Sequence, residues 1–174
     1  AHAMAFANVP TRDDVRSAIF QTLEANGMRG DSHIRLTLTR GEKITSGMDP
    51  RLNQKGCTLI VLAEWKKPVY DNAAGVRIVT SAIRRNSPQF VESKIHPNNL
   101  INNSLAKIQA NVAGADDALM LDERGFVAEM NGTNLFMIRG GHLLTPHATN
   151  CLPGITPGIV LELGKELGIP TQER

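Results

Sequence analysis

The sequence predicts an α/β fold in two domains, on three observations. Segments in which apolar and polar residues alternate are interleaved with segments in which apolar residues recur at helical spacing. With 174 residues, 41% of them hydrophobic and 21% charged, the chain can bury a real core. A stretch rich in punctuating residues, "KKPVYDNAAG" with Pro68, Asn72 and Gly75, reads as a linker. The boundary is placed near residue 72, giving domains over residues 1–72 and 73–174.

The elements follow in order. "PTRDDVRSAIFQTLEANGM" predicts a helix with Thr11 as N-cap, Asp13 and Asp14 in the first turn, Val15, Ile19 and Leu23 on one face, and Gly27 as the stop. "HIRLTLTRG" alternates Ile34, Leu36 and Leu38 with Arg35, Thr37 and Thr39, the period of a strand with one wet or functional face. After a loop rich in Gly, Ser, Pro and Asn, the apolar "TLIVLAEW" predicts a buried central strand. "VRIVTSAIRR" opens the second domain as a strand. "NNLINNSLAKIQANVAG" sets Leu100, Ile101, Leu105, Ile108 and Val112 on one helical face, ending at Gly114. "DALMLDERGFVAEM" predicts two strands around an Asp-Glu-Arg-Gly turn, and "NLFMIRGGHLLTP" a hairpin around Gly140-Gly141. "LPGITPGIVLELGKELGI" predicts a helix with Thr156 as N-cap and Pro157 at its first position. The chain begins with Ala rather than Met and stops at "GIPTQER" with no evident closing element, which suggests a fragment.

Composition excludes several classes of function. Nineteen basic and seventeen acidic residues give a net charge of +2 and are well mixed, which is no electrostatic footprint for nucleic acid or a membrane surface. The longest apolar run, Thr58 to Ala63, is too short to span a bilayer, and the N-terminus lacks the order of a signal peptide. A soluble, cytoplasmic protein is expected. Cys57 and Cys151 form no Cys-x-x-Cys, and the five histidines form no His-x-x-x-His pair, so reduced thiols and no metal are expected.

Three local features bear on chemistry. A glycine-containing loop that opens a helix at Gly154, Ile155 and Thr156 offers unpaired N–H groups to an anion, although a threonine there is more often simply a cap. Lys94, between Glu92 and the helix start, is an amine nucleophile if its charge is disfavoured, and otherwise a solvated surface group. Glu129 closes the apolar run Phe126-Val127-Ala128, where a buried carboxylate needs a cation: a protonated ring nitrogen, or an arginine.

In the order lysine, glutamate, Gly-Ile-Thr, these features resemble the class IV pyridoxal-phosphate aminotransferases, the family of branched-chain and D-amino-acid aminotransferases and aminodeoxychorismate lyase. The resemblance covers essentially the whole chain and is strongest from Lys94 to Leu163, through "DERGFVAEMNGTNLFMIRGGHLLTP" and "LPGITPGIVLEL". It implies the C-terminal part of a small α/β domain over residues 1–72, then the N-terminal part of a larger, mixed-sheet cofactor domain. Lys94 would form the Schiff base with pyridoxal 5'-phosphate and then act as acid and base. Glu129 would keep the pyridine nitrogen protonated, Leu152 would pack on the ring, and Gly154, Ile155 and Thr156 would hold the phosphate. Gly132 and Thr133 would border the cofactor, Asn134 would brace their loop, and Arg35 would meet the substrate carboxylate. The implied reaction moves an amino group from a small, branched-chain or other aliphatic amino acid to a 2-oxo acid in a homodimer; the alternatives are the lyase reaction and a catalytically incomplete fragment. Pro157 departs from the arginine that usually follows Gly-Ile-Thr, and "TRGEKITSGMDP" lacks the Arg-x-His pair of the D-amino-acid enzymes.

Overall fold

A computed structural model describes all 174 residues and divides the chain into two compact units, Ala1–Val69 and Tyr70–Arg174. No helix is long and apolar enough to cross a membrane.

The first unit is one helix and one hairpin. Helix α1, Arg12–Ala25, starts at a complete capping box: the Thr11 hydroxyl accepts from the Asp14 N–H, and the Asp14 carboxylate accepts from the Thr11 N–H. Gly27 then takes the left-handed conformation, φ +63°, that ends the helix. Strands β1, Ser32–Thr39, and β2, Thr58–Trp65, pair antiparallel with Leu36 opposite Val61 and Arg35 opposite Leu62. Cross-strand partners share a face, so Ile34, Leu36, Leu59 and Val61 lie on one side and Arg35, Ile60 and Leu62 on the other. The expectation of a buried central strand is overturned. The sheet has only two strands, so β2 has a single neighbour, and Ile60 and Leu62 are 49% and 52% exposed. Below the hairpin the chain approaches itself so closely that a Cβ at Gly41, φ +90°, would lie 1.7 Å from the Gly56 carbonyl oxygen.

The second unit holds two mixed three-stranded sheets. In one, β3 (Ile78–Thr80) runs parallel to β4 (Asp117–Leu121), which pairs antiparallel with β5 (Val127–Met130). Helix α2, Ile101–Val112, forms the crossover from β3 to β4. In the other, β6 (Met137–Arg139) and β7 (His142–Thr145) form a hairpin through Gly140 and Gly141, φ +57° and +76°. Helix α3, Ile155–Glu166, then carries the chain to β8, Thr171–Glu173, parallel to β7. The core is Ala106, Ala110, Ala118 and Met120, all fully buried. Helix α2 therefore packs through its alanines. Its apolar stripe, Ile101, Leu105, Ile108 and Val112, points to solvent at 65%, 43%, 54% and 85% exposure.

Two further expectations change. Helix α3 is capped by Gly154, which places Thr156 and Pro157 at its second and third positions. The first turn has no intrahelical acceptors for its N–H groups, so a proline costs no hydrogen bond there, and the helix starts earlier than its threonine suggests. The terminal "GIPTQER" contains a strand, β8, which pairs with β7 without any apolar alternation of its own.

Candidate active site

Glu129 stands on β5, opposite Met120 of the core strand. Alternation turns its side chain away from the face that buries Ala128 and Met130, yet the carboxyl is only 12% exposed. Arg85, at 10% exposure, meets it with Nη2 3.0 Å from Oε1. Burial pushes the Glu129 carboxyl up from its ordinary range, and the Arg85 charge opposes that rise.

Arg85 is itself held on three sides. Its N–H donates to the Leu121 carbonyl, Nε to the Asn150 carbonyl at 3.1 Å, and Nη1 to Asn103 Oδ1 at 2.9 Å. Asn103 donates in turn to the Asn131 carbonyl at 2.6 Å, while Asn131 exchanges hydrogen bonds with Ala118. The loop carrying Gly132 and Thr133 is thus tied to α2 and to Arg85. Thr133 Oγ1 lies 3.5 Å from Asp117 Oδ2, an oxygen that also accepts from the Tyr70 hydroxyl at 2.8 Å. Burial, that hydrogen bond and the neighbouring Asp117 and Asp116 charges push the Tyr70 phenol up to about 12.

Two cavities of the second unit bear on the site. The larger, about 440 Å³, is mostly apolar, with Phe126, Val127, Met137 and Leu144 in its wall, and holds none of the predicted site residues. The smaller, about 260 Å³, is lined by Glu129, Asn134, Cys151, Leu152, Gly154 and Pro157 among others. Chemistry rather than size selects the smaller one, because it unites a buried carboxylate with a helix start. Burial and the Glu129 charge push the Cys151 thiol up to about 11, so it faces this cavity as a neutral group.

Four residues singled out in the sequence, Glu129, Asn134, Leu152 and Gly154, therefore meet at one cavity. Ile155 and Thr156 are the next residues of α3, both exposed, and their N–H groups are free of helical acceptors because the first helical bond runs from the Gly158 N–H to the Gly154 carbonyl. Lys94 is exposed on a turn, its backbone N–H on Glu92 Oε1 at 3.2 Å, and is not part of the cavity wall. Beside it the Ser93 hydroxyl is buried without a hydrogen-bond partner. Arg35 is exposed on β1 of the first unit. Arg85 escapes sequence reasoning altogether; its only signal is its place at the end of the β3 segment, beside Arg84.

A carboxylate able to accept from a ring nitrogen, an aliphatic wall and free N–H groups at a helix start make a donor set that fits a phosphorylated pyridine. The family model for "Amino-transferase class IV" matches residues 1–174. This chain belongs to the class IV aminotransferases. Members of the family work with pyridoxal 5'-phosphate, and a branched-chain amino acid aminotransferase of T.th., solved with pyridoxamine 5'-phosphate, is 34% identical, with a TM-score of 0.82 over 94% of this chain and 53% of that one. A branched-chain aminotransferase from Thermoproteus uzoniensis, solved with norvaline, superposes with a TM-score of 0.90 at 27% identity over 100% of this chain and 58% of that one. Among curated relatives, branched-chain-amino-acid aminotransferase-like protein 2 of Arabidopsis thaliana is 59% identical over all of this chain but only 31% of its own length. The chain thus spans about a third of that relative and just over half of the solved aminotransferases.

Proposed function

We propose that the protein moves an amino group from a small, branched-chain or other aliphatic amino acid to a 2-oxo acid, and that the second unit carries the lysine and the ring end of its pyridoxal phosphate site. The observation that carries this reading is Glu129: a carboxylate 12% exposed, facing a cavity closed by the start of α3. Arg85 meets Oε1 of this carboxylate, and a protonated pyridine nitrogen entering from the cavity would be a second cation for it.

When bound, the cofactor supplies an electrophilic aldehyde and a ring that accepts electrons. Glu129 accepts a hydrogen bond from the ring N–H and holds that proton in place. Leu152 excludes water from one face of the ring. The Ile155 and Thr156 N–H groups, with the Thr156 hydroxyl, donate to the phosphate, aided by the positive end of α3. Gly132 and Thr133 border the ring. Lys94 would supply the amine that holds the cofactor and the group that carries the substrate proton. Arg35 pairs with the substrate carboxylate. The sequence resemblance extends this reading to a homodimer.

The test is an absorbance titration with pyridoxal phosphate, followed by borohydride reduction and peptide mapping. A yellow adduct, fixed by reduction on Lys94 and absent from Lys94→Ala, is expected; an adduct that survives Lys94→Ala overturns the assignment. Product analysis then separates amino transfer from the lyase reaction, which releases pyruvate from aminodeoxychorismate.

A further inference from the structure

We propose that Arg85 is a positioning residue for Glu129: it holds the carboxylate by Oε1 and keeps the proton shared with the cofactor on the ring nitrogen rather than on Glu129. This rests on the reading of Glu129 as the partner of that nitrogen.

The argument begins from the cost of burial. A carboxylate in an apolar wall becomes a stronger base, because its charged form loses water. Such a base competes for the very proton that the ring must keep to accept electrons. A guanidinium at 3.0 Å opposes that tendency, because it stabilises the anion and not the acid. The other charged or titratable groups near Glu129 cannot substitute for it. Cys151 is neutral, and Glu173, in the same cavity wall, is an acid and offers no positive charge. Glu123 is engaged elsewhere, accepting from Ser87 Oγ and Asn150 Nδ2.

The placement of Arg85 is built rather than incidental. Its Nε is held by the Asn150 carbonyl and its Nη1 by Asn103, which leaves Nη2 for Glu129. Asn150 is 3% exposed, so this brace sits in the interior. Asn103 also holds the Asn131 carbonyl, so the arginine and the loop bordering the ring share one support. A lysine carries the charge but lacks the planar fork that occupies three acceptors at once.

The experiment titrates the Glu129 carboxyl by carbon NMR in the full chain without cofactor, in wild type, Arg85→Gln, Arg85→Lys and Asn103→Ala. Arg85→Gln is expected to raise the Glu129 midpoint by about one to three pH units. Arg85→Lys should raise it less, and Asn103→Ala least. A Glu129 midpoint that stays unchanged across the folded variants overturns the proposal, and if Arg85→Gln does not fold, Arg85→Lys and Asn103→Ala decide it. Ring-labelled pyridoxal phosphate gives the second readout. Its nitrogen is expected to stay protonated to a higher pH in wild type than in Arg85→Lys. Equal protonation overturns the role assigned to Arg85 while leaving the cofactor assignment intact. Failure of the cofactor to bind wild type, with the Glu129 midpoint still responding to Arg85, overturns the functional reading and this role with it.

Discussion

The two units fold by different means. Of the buried apolar side chains only Met28 belongs to the first unit, whereas the second has a core of Ala106, Ala110, Ala118 and Met120 and buried polar groups such as Asp117 and Asn150. The first unit relies on local devices: a capping box, the hairpin register and the close approach of Gly41 to Gly56. The second relies on contacts between residues remote in sequence. Chemistry follows the second plan, because a buried ion pair needs an interior to sit in.

The chain carries its own reporters for this contrast. Its single Trp, Trp65, lies in the first unit, and its single Tyr, Tyr70, in the second. The largest effect is expected from Glu129→Ala, which leaves Arg85 charged and unpaired at 10% exposure and should cost about 3–5 kcal/mol in urea unfolding followed by Tyr70 absorbance. Next comes Met120→Ala, which opens a cavity at a fully buried site and should cost about 2–4 kcal/mol by the same signal. A loss below about 1 kcal/mol for both would break the comparison, since the second unit would then not depend on its interior.

A third prediction uses pH. The folded Tyr70 phenol is raised to about 12, so the folded state holds its proton where the unfolded chain has lost it. The stabilisation is full below the unfolded value near ~10 and is lost as pH rises toward about 12. Spectrophotometric titration should find phenolate only near the top of that window, and Asp117→Asn should move it back toward ~10; an unmoved midpoint would detach Tyr70 from Asp117. The smallest effect is Thr11→Ala, about 1 kcal/mol through loss of the cap of α1, read from Trp65 fluorescence during unfolding. A much larger loss would show that the first unit depends on that one helix end.

Legibility in the sequence divides along the same line. The cap and stop of α1 are local, as are the glycine turn of the β6–β7 hairpin and the polar turn between β4 and β5, and each could be read from a few consecutive residues. Glu129 was also legible, because a carboxylate ending an apolar run demands a cation wherever it lies. The identity of that cation in this structure was not. Arg84-Arg85 is only a short basic pair in the sequence, and nothing in its neighbours tells of Asn103, Asn150 and Glu129 converging on the second arginine. Strand β8 was invisible because Thr171, Gln172 and Glu173 owe their conformation to β7 and not to a pattern of their own. The start of α3 was misplaced because a threonine is the stronger cap by residue type, while Gly154 is the position at which the chain turns.

Helix α2 has a practical consequence for anyone mapping this molecule by mutation. Its packing face consists of Ala106 and Ala110, and its large apolar residues look outward. An alanine scan would leave both core positions untouched and report the helix as tolerant. Replacing the same two alanines with leucine would find the packing surface at once, because there is no room at either for the added side chain.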